Sequence, residues 1–295
     1  MAARVAFFVV SIALLLSASI TEGGGHGVKF SYSGETGPDK WGSLSPTCSQ
    51  CSEGKSQSPI DIVTGQAVPN KDLKPLRREY HPANATLVNN HFNIEMVFQQ
   101  TGGELILDNK KYKLKQMHWH SPSEHQINGI RYDAELHLVH AADDGTLTVV
   151  GILYKLGPAD PLLATIQTKL GELGGKESEI VHKEIEIHRK LEELDGEDSE
   201  IAHEKAEIAV GIFDLNLLKQ STPTHKFYRY HGSLTTPPCS ESVIWNVLAK
   251  VKSISEEQLE ALKAPLTSDC KDNARPVQQL NGRRVEIYNS RAIGS

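Results

Sequence analysis

The 295-residue chain is 39% hydrophobic and 23% charged, a globular composition that excludes a disordered or membrane-embedded polypeptide and suffices for one full core. Its net charge of −6 is uneven, because Lys176 to Glu207 holds twelve acids and five bases (5 − 12 = −7), leaving +1 for the rest. No basic stripe is present for nucleic acid, and the acidic block gives no footing on an anionic membrane.

Residues 1–24 read as a signal peptide. Arg4 supplies the positive start, Val5 to Ile20 is almost uninterruptedly apolar, and small residues follow (Ser17, Ala18, Ser19, then Gly23 to Gly25). That run is short for a transmembrane anchor and no second one occurs, so no stable membrane anchor is expected. The domain proper is assigned to 25–295, in an oxidising compartment where Cys48, Cys51, Cys239 and Cys270 can pair. The expected location is the secretory pathway and the extracellular space or apoplast, with plastid stroma or vacuole reachable by the same route. The sequon Asn84-Ala85-Thr86 offers Asn84 for glycosylation. Nothing in the sequence specifies an oligomeric state.

From Gly25 to Ser56 the chain is rich in Gly, Ser and Pro, an irregular arm expected to wrap a core built elsewhere. Strand-like alternation follows at Thr86–Phe98, Glu104–Leu107, Lys113–His120, Ala134–Ala141, Thr146–Leu156, Phe227–Tyr230 and Val285–Tyr288. Together these imply a large, mostly antiparallel sheet. Helical patterns occupy Pro161–Leu173 and Ser255–Leu262, the second with Ser255 as N-cap and Glu256 and Glu257 in its first turn. Between them, Glu177 to Ile187 is nearly repeated at Asp198 to Ile208, an offset of 21 residues or three heptads. This charged insert, about 176–207, is expected to form two helices split at Gly196 and to be a dispensable, solvated surface excursion.

Gln116-Met-His118-Trp-His120 ends one alternating run, and residues i and i+2 of a strand share a face. A second run, Glu135-Leu-His137-Leu-Val139-His140, can pair beside it after the Asn128-Gly129 turn. Three neutral imidazoles with one open position suit catalytic zinc, whereas closed structural sites favour cysteine. Gln116 and Glu135 each lie two residues before a ligand and can accept its second N–H, fixing the tautomer. For a single one of the 13 histidines a plain packing or solvated role is the better reading; His125, His140, His182, His188 and His203 are left as non-ligands. His118-x-His120-x-x-x-Glu124 equally has the spacing of cupins, small β-barrels that bind manganese or iron. That alternative leaves Gly232-Ser-Leu-Thr-Thr-Pro-Pro238 idle.

Taken in order, Gly37-Pro-Asp-Lys-Trp41, Gln57-Ser-Pro-Ile-Asp61, Gln116 to His120, Ser123-Glu-His125, Glu135 to His140, Gly232 to Pro238 and Asn273-Ala-Arg-Pro276 closely resemble the α-class carbonic anhydrases. The resemblance spans about Phe30 to Ile287 and is strongest to the secreted plant members. It implies a mostly β fold with flanking helices (α+β), a large twisted, mainly antiparallel central sheet of about ten strands, and a conical cavity reaching a Zn2+ on His118, His120 and His137. It further implies a lyase that hydrates carbon dioxide reversibly to bicarbonate and a proton through a zinc-bound hydroxide. Carried over by residue, Thr235 would orient the nucleophile and donate to Glu124, Thr236 would line the substrate path, and Val139, Val149, Val243, Leu234 and Trp245 would form the apolar wall for CO2. His91 would export the proton, although Asn90 stands where the family has a glycine, and Tyr32 would order cavity water. The resemblance also pairs Cys51 with Cys239 and leaves Cys48 and Cys270 without counterparts, paired together or free. Some plant relatives are storage or binding proteins on this fold, which makes a non-catalytic role the alternative function.

Overall fold

The computed structural model describes residues 28–193, 205–222 and 224–290, so the signal-peptide segment lies outside the described residues. The alternating runs become strands of one 13-stranded sheet. Ten of them form its continuous path, labelled in chain order: β1 (Val68–Pro69), β2 (Ala83–Asn89), β3 (Ile94–Phe98), β4 (Lys110–His120), β5 (Ala134–Ala141), β6 (Leu147–Leu156), β7 (Glu207–Phe213), β8 (Lys226–Ser233), β9 (Glu241–Leu248) and β10 (Glu286–Asn289). Their spatial order is β7-β2-β3-β4-β5-β6-β9-β8-β10-β1. Most neighbours are antiparallel; β6–β9 and β10–β1 are parallel.

All eight residues of β5 are buried, as a central strand covered on both faces requires. Alternation divides them. Leu136 and Leu138 join Met117, Trp119, Val150 and Ile152 in the larger core, while Val139 joins Val149, Leu153, Val243 and Trp245 on the opposite face, the face that His137 shares. The larger core is roofed by α1 (Gln167–Glu193), which buries Leu170, Leu173 and Ile180, and by α2 (Glu256–Lys263) through Leu262. Ser255 caps α2 in a full capping box with Gln258.

The N-terminal arm is irregular apart from short single turns, and it is fastened by the Cys51–Cys239 disulfide across 188 residues. Cys48 and Cys270 are free and buried.

Four expectations are corrected. Thr86–Phe98 is two strands, because Asn90–Asn93 closes a turn in which the Asn90 N–H donates to the Asn93 carbonyl. The run Pro161–Leu173 breaks after a single turn, Pro161–Ala164, and α1 then runs unbroken into the insert. Glu207 and Ile208, taken as the end of a second helix, are the start of edge strand β7, paired with Val88 and Leu87 of β2. The insert is not simply solvated: Leu170, Leu173, Glu177 and Ile180 form one buried stripe at helical spacing, and Ala206 is fully buried. The rest of the second repeat copy lies outside the described residues.

Candidate metal centre

β4 and β5 pair antiparallel with His137 opposite His118 and Glu135 opposite His120. That register, with the two-residue strand period, sets His118, His120 and His137 on one face, and one ring nitrogen from each lies within 4.8 Å of the others. His120 and His137 are buried, and His118 is half-buried.

The outer ring nitrogens of His118 and His120 are hydrogen-bonded, and that of His137 faces a carboxylate. His118 Nδ1 lies 2.8 Å from Gln116 Oε1 and His120 Nδ1 lies 2.6 Å from the Asn273 carbonyl. A carbonyl can only accept, so His120 carries its proton on Nδ1 and turns the Nε2 lone pair inward. His137 Nε2 stands 3.0 Å from Glu135 Oε1, off the line of a good hydrogen bond, leaving Nδ1 to face His118 Nε2 at 3.2 Å. Burial, then the neighbouring rings His120 and His137, push the His118 pKa well below the ordinary histidine value; burial lowers that of His120. The His118 and His120 rings are thus neutral near pH 7, the form that donates a lone pair to a metal.

Behind the triad lies a buried polar layer. Burial alone would raise the Glu135 carboxyl, but His125 and His137 hold it well below the usual carboxylate range. Its Oε2 accepts the backbone N–H groups of Glu124 and His125 at 2.9 and 2.8 Å, and its Oε1 lies 2.8 Å from His125 Nδ1. His125 continues to the Tyr230 hydroxyl at 2.7 Å. Gly151 sits opposite His137, and a Cβ there would come 2.8 Å from Glu135 Oε1, so the position has no room for a side chain.

The other sequence-assigned residues gather around this face. Val139, Val149, Val243 and Trp245 form one apolar cluster with Leu234 packed on it, and the Trp245 ring lies 4.8 Å from His137. Thr235 and Thr236 are buried in the neighbouring loop, which Cys239 ties to the N-terminal arm. The hydrogen bond from Thr235 to Glu124 is not made here. Glu124 Oε1 accepts the Arg275 N–H at 3.0 Å, while Oε2 is buried without a hydrogen-bond partner among the described residues, 3.5 Å from His120 Nε2 and 4.0 Å from His137 Nδ1. The Tyr32 hydroxyl is likewise buried and unpartnered; burial first, then the charge of Glu124, push its pKa up. His91 is not part of the converging triad; it lies on the Asn90–Asn93 turn with φ +70°, the left-handed conformation that glycine adopts more readily.

Three supporting residues escaped the residue-level reading. Asn273 holds His120 through its carbonyl, and Arg275, fully buried, clamps Gln57, the Ser58 carbonyl and the Cys51 carbonyl. His125, left as a non-ligand, anchors Glu135. Their only signal was membership of the matching motifs.

Comparison with known proteins decides the family. A model of eukaryotic-type carbonic anhydrases matches residues 36–289. This chain belongs to that family. Alpha carbonic anhydrase 7 of Arabidopsis thaliana is 36% identical over 96% of this chain and 95% of its own length, and dioscorin dioA3 of Dioscorea japonica is 34% identical over 88% and 86%. Among solved structures, dioscorin complexed with ascorbate superposes with TM-score 0.76 at 33% identity, covering 88% of this chain and 98% of that one. The α-carbonic anhydrase of Thermovibrio ammonificans, solved with sulfanilamide, gives 0.69 at 35% identity, covering 88% and 99%.

The donor set fits the zinc that this family uses. Three imidazole nitrogens converge, the inward Nε2 of buried His120 has no hydrogen-bond partner among the described residues, and no thiol is among the donors.

Proposed function

We propose that this chain is a zinc-dependent carbonic anhydrase that hydrates CO2 reversibly to bicarbonate and a proton. The observation that carries the reading is the intact triad, with an acceptor beside each outer nitrogen of His118, His120 and His137. Carbonic anhydrases are themselves the type case of a three-histidine zinc that acidifies water, and that supply of a nucleophile at neutral pH is what the metal contributes here.

The chain's own residues do the rest. His118, His120 and His137 hold the metal, and Gln116, the Asn273 carbonyl and Glu135 fix their tautomers and ring angles. Val139, Val149, Val243, Leu234 and Trp245 give CO2, which lacks a strong hydrogen-bonding handle, an apolar resting place. Thr235 orients the attacking oxygen by turning its hydroxyl to the unpartnered Glu124 oxygen, and Thr236 lines the approach. His91, its side chain 38% exposed, takes the product proton to solvent.

Secretion agrees with the disulfide and with an exposed Asn84 on β2 available for glycosylation. No helix among the described residues is long and apolar enough to cross a membrane. A second reading, a binding protein without turnover, is favoured by the likeness to dioscorin solved with ascorbate. Stopped-flow CO2 hydration before and after chelation decides between them. Zinc-dependent turnover supports the enzyme, and a stable zinc-loaded protein without turnover supports the binder.

A further inference from the structure

The insert reaches the His91 turn. On the core-facing stripe of α1, where Leu170, Leu173 and Ile180 pack, the intervening residue is an acid, Glu177, whose side chain is 10% exposed. An acid on a stripe that otherwise buries leucine and isoleucine costs stability unless a partner offsets it. Such a local conflict marks a position kept for something other than packing. Glu177 Oε1 lies 4.0 Å from His91 Nδ1, beyond a direct hydrogen bond but well within the range at which an anion stabilises an imidazolium.

The same turn is clamped by the far end of the insert. Lys205 Nζ donates to Asn90 Oδ1 at 2.8 Å, and the Asn89 N–H donates to the Ala206 carbonyl at 2.9 Å. Asn90 Nδ2 in turn donates to Glu95 Oε2 at 2.9 Å, on the strand beside His118. On its other side the turn is tied to the metal centre: Asn273 Nδ2 donates to the Phe92 carbonyl at 2.9 Å, and the Asn273 carbonyl holds His120. Charged groups thus reach the turn from three elements: Glu177 of α1 faces His91, and Lys205 of the return segment and Glu95 of β3 both bind Asn90 beside it. Glu177 is paired with the imidazole itself.

We propose that Glu177 is a positioning residue for His91: it holds the imidazole on the insert side of the turn and raises its proton affinity, so the insert takes part in proton export. This rests on the reading of His91 as the proton carrier. The relay leaves atoms in balance: His91 accepts the product proton at one ring nitrogen, and the imidazolium paired with Glu177 gives it to bulk buffer.

The test follows the His91 ring C–H resonance by NMR titration of the zinc-loaded protein, assigned by its loss in His91→Ala. With Glu177→Gln the titration midpoint falls by about half a pH unit at low salt, the size of a partly exposed pair. The kcat profile in weak buffer moves to lower pH with it, while kcat/KM for CO2 holds; Glu177→Asp restores part of the shift. A midpoint unchanged in both Glu177→Gln and Glu177→Leu, with native thermal melts, overturns the inference even if His91→Ala slows turnover. If instead the midpoint moves but His91→Ala leaves weak-buffer kcat untouched, the carrier reading has failed and the relay falls with it.

Discussion

The triad and the His91 turn adjoin each other through Asn273 and Glu95, yet they are built by different means. His118, His120 and His137 stand on paired central strands; the acceptors beside His118 and His137 lie two residues upstream, and that of His120 is the carbonyl of the remote Asn273. His91 sits on a four-residue turn in a left-handed conformation; its imidazole faces a helix and its neighbour Asn90 a return segment, both more than eighty residues away in sequence. Strand period and register make the first arrangement nearly obligatory. The second adds to the turn's own hydrogen bonds a charged insert that closes over the edge of the sheet, so the surroundings of His91 depend on a remote element while the placing of the triad on one face follows from strand pairing.

The sharpest way to break this contrast is to remove a ligand. His120→Ala or His137→Ala leaves two imidazoles, and both zinc retention after dialysis and CO2 hydration should fall to background, since a catalytic site needs three protein ligands. Thr235→Ala should keep the zinc but lose on the order of 100-fold in kcat, the cost of one oriented group at a reacting centre. If zinc is lost as well, Thr235 supports the site rather than the reaction.

Excision of residues 176–207 tests the other side of the comparison. Its sequence, acidic and thinly apolar, reads as expendable; in the structure it contributes buried Ile180 and Ala206 and begins edge strand β7. Replacing it by a short Gly-Ser link should cost about 2 kcal/mol or more in urea unfolding, the worth of one buried isoleucine. The zinc-bound triad, which it does not touch, should survive. A deletion as stable as the parent would restore the view of a free excursion.

A smaller effect separates the faces by pH. His140 is buried behind the sheet, 2.8 Å from the Tyr80 hydroxyl, and burial lowers its pKa to about 3. Its folded value is below its unfolded one, so the unfolded chain binds more protons and stability is lost as pH falls. The loss begins below about pH 6.5, continues toward the folded value, and amounts to about 1.4 kcal/mol per pH unit for such a histidine. Denaturant melts of parent and His140→Phe between pH 7 and 5 measure it: the variant should show a shallower slope.

What was legible in the sequence follows the same division. The i, i+2 histidines, their upstream Gln116 and Glu135, and the apolar row Val139 to Trp245 could be placed because a strand has a fixed period and pairing carries it across the sheet. Asn273 could not, since it holds His120 by a backbone carbonyl, which no side-chain pattern encodes. Strand β7 was hidden by the acidic repeat it terminates, and β9 by its lack of clean alternation. Glu177 looked like one acid among twelve; only the fold shows that it lies on the helix's buried stripe beside His91.

The claim that His118, His120 and His137 form a zinc site is tested most directly by zinc K-edge X-ray absorption on protein loaded with one equivalent of metal. The account expects three imidazole nitrogens at about 2.0–2.1 Å and one further light-atom ligand, with the signal changed in His137→Ala. A sulfur shell near 2.3 Å, or a spectrum indifferent to that substitution, would contradict it.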